Sequence, residues 1–188
     1  SKKSPYSIDV NLLGRSIEAG MLEDPMSPPS EDIFEMTSSI EDAPEDPEEI
    51  IIEFLNGFPV SINQEKLDPS ELIKRANFIA GKHGFGRLDM MEDRIVGIKS
   101  REIYETPGLL LLIKAHKEME SLTLTQDVLE FKSLVDKKWG QLVYRGFWYS
   151  PLKAALDEFI ASTQHSVNGI VKVRLHKGNA VIIGRSSI

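Results

Sequence analysis

Apolar positions along this chain follow two rhythms, one of period two and one of period three to four. EEIIIEFLNGFPVSIN, residues 48–63, reads as two strands around Asn56-Gly57, a dipeptide that favours a tight hairpin. Asp68, Pro69 and Glu71 then supply an N-cap, a first-turn proline and a capping-box partner. They open a helix whose Leu72, Ile73, Ala76, Ile79 and Ala80 recur by three and four. That helix is expected to stop in GKHGFG, where glycine takes positive φ. RLDMMEDRIVGIKS predicts a strand pair over 86–92 and 94–100, turning near Glu92-Asp93. A long helix begins at Thr106-Pro107, with Leu110, Ile113, Ala115, His116, Met119 and Leu122 inward. Another, capped by Thr125, places Val128, Phe131, Leu134, Val135 and Trp139 mostly on one face. Ser150-Pro151 opens a further helix ending near His165, and GIVKVRLHKGNAVIIGR closes as a hairpin across Lys177-Gly178-Asn179. Helices mixed with hairpins predict an α+β fold, a mainly antiparallel sheet packed by long helices, rather than a doubly wound sheet. The helices carry large residues such as Trp139, Phe147 and Trp148, more than one small sheet covers, which points to an oligomer interface.

Residues 1–48 differ from the rest. They hold six of the ten prolines and many acidic residues, yet Ile8, Leu12, Leu13, Ile17, Leu22, Ile33 and Phe34 are spread through them. The expected organisation is an ordered, extended Pro-rich acidic arm over 1–48 that packs on another surface, and an α+β domain over 49–188.

Composition narrows the function. With 41% hydrophobic and 27% charged residues the chain is ordinary globular protein. A formal charge of −7 argues against nucleic acid as the main partner, since phosphate binding needs a basic face. There is no cysteine, so thiolate chemistry and disulfides are excluded; a cytoplasmic location fits. The longest apolar run, GLLLLI, is too short to span a membrane, and the start has no signal-peptide pattern. An opening Ser in place of Met suggests a mature form or a fragment. The four histidines lack ligand spacing, so no metal is expected. GKHGFGR follows its helix instead of preceding it, so it is a helix end and not a phosphate loop.

MEDRIVGIKSREIYETPG is harder to read as a connector. With Glu92 at a turn and Tyr104 just before the helix at Pro107, the two face one pocket beside a helix N-terminus. A carboxylate accepting from an ammonium, beside a phenol that donates or accepts, suits a small polar zwitterion. Lys99, Arg101 and Glu105 read as ion pairs on a solvated face. Ser7 suits an ordinary N-cap, whereas Ser16, inside an expected helix or turn, has no evident structural duty.

The motifs SPYSIDVNLLGRSIEAGMLEDP, GKHGFGRLDMMEDRIVGIKSREIYETPG, AHKEMESLTLTQDV, YRGFWYSP and KGNAVIIGR, in this order, resemble those of the argininosuccinate synthase family over nearly the whole chain. The resemblance implies an ATP-dependent ligase of arginine biosynthesis and the urea cycle. It joins citrulline and aspartate through a citrullyl-AMP intermediate and releases AMP and pyrophosphate. It implies that Ser7, Ser16, Glu92 and Tyr104 match citrulline-binding positions, with no catalytic nucleophile among them. It also implies a homotetramer, with ATP and magnesium used by the full-length enzyme. The family's SGGxDT phosphate loop is not in this sequence, and the tail after Arg185 is short. The chain therefore looks like a synthetase and multimerisation domain cut at both ends, inactive by itself and binding no ATP alone. PGLLLL departs from the Gly-Thr that many relatives carry after the proline, which puts packing at that helix start in doubt. A noncatalytic oligomerisation module is the rival reading for this stretch in isolation.

Overall fold

A computed structural model describes residues 5–188, so Ser4 of the first motif lies outside the described residues. The fold is α+β, with four helices and two antiparallel sheets among those residues. The larger sheet contains β3 (Glu48–Leu55), β4 (Phe58–Ile62), β5 (Glu65–Lys66), β8 (Gly169–His176) and β9 (Asn179–Ser187), in the order β5-β4-β3-β8-β9. The smaller one contains β1 (Ser7–Asn11), β2 (Gly14–Glu18), β6 (Arg87–Asp93) and β7 (Lys99–Glu105), in the order β1-β2-β7-β6. The helices are α1 (Pro69–Lys82), α2 (Pro107–Thr123), α3 (Gln126–Tyr144) and α4 (Pro151–Gln164).

Local chemistry explains the larger sheet. Asn56 and Gly57 take φ of 49° and 78°, the pair of left-handed residues that a two-residue hairpin demands. Lys177 and Gly178, at 41° and 78°, do the same between β8 and β9. Alternation then points Ile50, Ile52 and Phe54 of β3 and Val171, Val173 and Leu175 of β8 to one side, all buried. Leu72, Ala76, Ile79 and Ala80 of α1 cover them, with Leu111, Leu112, Ala115 and Met119 of α2. The α1 N-terminus is capped as expected, Asp68 accepting from the amides of Ser70 and Glu71 at 3.0 and 3.2 Å. The Glu71 side chain turns instead to Lys74. The helix ends at His83 and Gly84 (φ 72°), the helix end read from GKHGFG.

The inward face of α2 is displaced from the expected one. Ile113 and Leu122 are exposed, whereas Leu111, Leu112 and Glu120 are buried. Leu109 to Ile113 are apolar all round, so periodicity alone could not choose the phase. Gly108 chooses it: a Cβ there would lie 2.6 Å from the Asn77 backbone nitrogen, so only this face lets α2 cross α1 closely. In α3, Phe131 and Leu134 are exposed and Val135 is the buried apolar residue. α3 and α4 pack mainly on one another, through an edge-on Phe131–Phe159 contact and a Trp139 indole donating to Asp157 at 2.6 Å.

The smaller sheet corrects the local expectations most. Ser7 opens strand β1 instead of capping a helix, and Ser16 lies in strand β2 instead of a helix or turn. The β6–β7 turn falls at Arg94–Ile98, closed by the Gly97 amide on the Arg94 carbonyl at 2.8 Å, with Gly97 at φ 81°. Glu92 therefore remains within its strand. One face buries Ile17 and Ile103 against Leu22 and Ile33 of the segment that follows β2.

Arg101 and Glu105 share that covered face, so the reading of a solvated ion-pair cluster fails for both. The nearly buried Arg101 guanidinium pairs with Asp89 and donates to the carbonyls of Asp24 and Ser27. Glu105 is fully buried. It accepts from the amides of Glu35, Met36 and Thr37 at 3.0, 2.9 and 3.0 Å, from the Thr37 hydroxyl at 2.7 Å and from Arg15 at 2.6 Å. Burial by itself raises this carboxyl, but the amides, the hydroxyl and the guanidinium together hold it below its ordinary value.

Such a carboxylate stabilises the fold above the unfolded-state pKa, and the contribution is lost as pH falls through the lowered folded value. Glu105→Gln is expected to cost about 3–5 kcal/mol in denaturant unfolding at neutral pH. It should also flatten the acid limb of stability against pH; a variant as stable as the parent would remove this anchor.

Candidate functional site

The opposite face of the smaller sheet carries most of its polar side chains, with Leu88 and Met90 of β6 beside them. Alternation along β7 puts Ser100, Glu102 and Tyr104 on it, away from Arg101, Ile103 and Glu105. The register sets Ser16 opposite Tyr104, Glu92 opposite Ser100, and Ser7 opposite Glu18. All four expected ligand residues, Ser7, Ser16, Glu92 and Tyr104, thus share one face. Ser16 and Tyr104 are direct cross-strand neighbours. Glu92 and Tyr104 are not: their positions are four residues apart along β7, about 13 Å at strand rise. The pair read from spacing as one pocket is joined through a third residue.

That residue is Glu102, 6% exposed. The Tyr104 hydroxyl donates to its Oε2, and the Arg94 guanidinium donates to its Oε1. Arg94 also donates to Glu18 on β2 and, through Nε at 2.8 Å, to the Ser100 hydroxyl. Glu92 is the diagonal cross-strand neighbour of Glu102 on the same face and accepts from the Tyr144 hydroxyl at 2.6 Å, delivered by the end of α3. Burial, then the Glu92 carboxyl, pushes Glu102 up. The neighbouring Glu102 carboxyl, then the hydrogen bond from Tyr144, holds Glu92 down. Burial and its acceptor Glu102 push the Tyr104 phenol upward, so it stays a donor.

The face is a wall and not a closed pocket. Cavities of about 570 and 540 Å³ lie elsewhere, one beside Trp139 and Asp157, the other beside Phe54 and Leu112. Among the described residues no group of three or more acidic or histidine side chains is arranged to hold a metal ion. No described helix is long and apolar enough to cross a membrane. A face of two hydroxyls, a phenol donor and an ionised carboxylate can position a zwitterion; it presents no activated nucleophile.

Residues 6–188 match the family described as arginosuccinate synthase C-terminal domain. The chain belongs to the argininosuccinate synthase family. An argininosuccinate synthase of Prochlorococcus marinus strain MIT 9301 is 73% identical over 187 residues, covering 100% of this chain and 46% of that protein. Those of strains MIT 9312 and NATL2A are 73% and 66% identical over the same length. The chain spans about half the length of these curated relatives. In this chain, sequence reasoning missed Glu18, Arg94, Glu102 and Tyr144. Glu102 was legible, because SREIYE alternates and places it between Ser100 and Tyr104 on one face. The other three arrive from a neighbouring strand, a turn and a distant helix, and no local signal marks them.

Arg94→Ala should leave Glu18 and Glu102 facing each other without their shared guanidinium. Amide hydrogen exchange is expected to accelerate across 87–93 and 99–105 while 48–62 keeps its protection. Unchanged exchange in the β6–β7 hairpin would show that Arg94 does not organise the face.

Proposed function

We propose that this chain supplies the citrulline-binding wall of an ATP-dependent ligase that condenses citrulline with aspartate. The observation that carries the reading is the shared face: Ser7, Ser16, Glu92 and Tyr104, spread over 98 positions, lie on one side of one sheet. In this reading the ionised Glu92 attracts the citrulline ammonium, and the Tyr104 phenol and the Ser7 and Ser16 hydroxyls hydrogen-bond its polar atoms. Held at that end, the neutral ureido group projects away from the sheet to be activated. The four residues position and do not attack. The adenylylation that ATP supplies, the aspartate that follows and any magnesium are assigned to no residue of this chain, since its described donors fit no metal. Association into a tetramer, a cytoplasmic setting and inactivity of the isolated chain belong to the same proposal. The exposed Phe131, Leu134, Phe147 and Trp148 of the α3–α4 unit support association.

The test is kinetic, in the protein produced with its natural upstream sequence. Glu92→Gln and Tyr104→Phe each remove a hydrogen bond to a charged or polar group, and each should raise the citrulline KM about 10–100-fold. The KM for ATP should move far less. Parental citrulline KM and kcat in both variants would defeat the assignment. The isolated 188-residue chain should form no argininosuccinate; robust turnover by it would refute the proposed division of labour.

A further inference from the structure

Glu102 does not belong to the expected ligand set, yet it holds Tyr104 directly and, through Arg94, is joined to Ser100 and Glu18. Two carboxyls, Glu18 and Glu102, pair directly with the Arg94 guanidinium, and a third, Glu92, lies beside Glu102 on the same face. Fully ionised, they leave the cluster two charges negative. The groups facing Glu102 are Glu92 from β6, Glu18 from β2, Arg94 from the turn and Tyr104 from its own strand; Tyr144 of α3 reaches Glu92. Arg94 is the only cation among those contacts. Glu92 and Glu102 are diagonal neighbours on this face, and two ionised carboxylates are acceptors only, so they can hydrogen-bond one another only with a proton on one of them. Glu102 is the buried partner, so burial favours the neutral form there.

We propose that Glu102 is a positioning residue that orients both Tyr104 and Glu92, and that the proton it shares with Glu92 is expelled when the ligand's ammonium group arrives. This rests on the citrulline assignment above. A bound cation next to Glu92 supplies the charge that the proton supplied before, so ligand and proton compete for the same carboxyl pair. Citrulline then binds more tightly as pH rises through the raised range of Glu102, and each binding event releases a proton below that range.

The experiment is calorimetric titration of citrulline into the protein with its natural upstream sequence. It is run at about pH 5.5, just above the ordinary carboxylate range, in two buffers of different ionisation enthalpy. Proton release is expected at that pH and should shrink toward zero near about pH 8. Gln at position 102 imitates the protonated carboxyl. Glu102→Gln should therefore abolish the buffer dependence and hold citrulline affinity at the parent's low-pH limit at every pH. A purely structural role would weaken binding without flattening the pH profile. Equal heats in both buffers for the parent, or a parental pH profile in Glu102→Gln, would overturn the inference while leaving the citrulline assignment standing. No citrulline binding by the parent at any pH would overturn both. The buffer comparison on the parent decides the matter even if the variant fails to fold.

Discussion

A single carboxylate, Glu105, determines how the smaller sheet meets the rest of the chain. Its charge lies where water does not reach, and it survives because the backbone bends to serve it. Residues 35–37 turn three consecutive amides toward it, and Arg15 closes the remaining side. This draws the segment after β2 across the covered face and seats Leu22 and Ile33 on Ile17 and Ile103. Just before β6, Gly86 lets that strand approach the start of α2: at φ 119°, a Cβ there would lie 2.2 Å from the Cα of Pro107. Asn77 of α1 adds a second tie, donating to the Leu12 carbonyl and accepting from the Gly108 amide. The smaller sheet is thereby fixed against the helices that cover the larger one.

Much of this was legible wherever one residue's own conformational preference decides the outcome. Asn56-Gly57 and Lys177-Gly178 make their hairpins because few other pairs accept two left-handed residues. Asp68, Pro69 and Ser150 start their helices for equally local reasons. Legibility fails where a partner distant in sequence decides. Arg101 and Glu105 look like surface charges until residues 24–37 fold over them. Leu109 to Ile113 carry no phase until α1 supplies one. In Ser16, the hydroxyl drew attention for its chemistry, but β7 makes its stretch a strand.

The site follows the same division. The alternation of Ser100, Glu102 and Tyr104 is written in β7 alone, but its meaning depends on Arg94 and Glu92 being folded beside it. Family resemblance located the ends of the network, and geometry located its centre. A carboxylate recognising an ammonium needs a controlled charge as well as a correct position. Here the carboxyl next to Glu92 is Glu102, buried and held by Arg94 and Tyr104.

Tyr104 and Glu105 are adjacent in the chain, yet one serves the open face and the other the buried anchor. β7 is therefore read on both sides at once, and the reading frame of its pleat is indispensable. Insertion or deletion of one residue anywhere in 99–105 exchanges the two sides and loses both together. The tip of the turn before it is freer, since a Cβ on Gly97 meets nothing within 4 Å, although its φ of 81° favours glycine and Arg94 at the turn's start must keep its reach to Glu18 and Glu102. Length variation among descendants of this sequence should therefore accumulate at the hairpin tip and stop abruptly at Lys99.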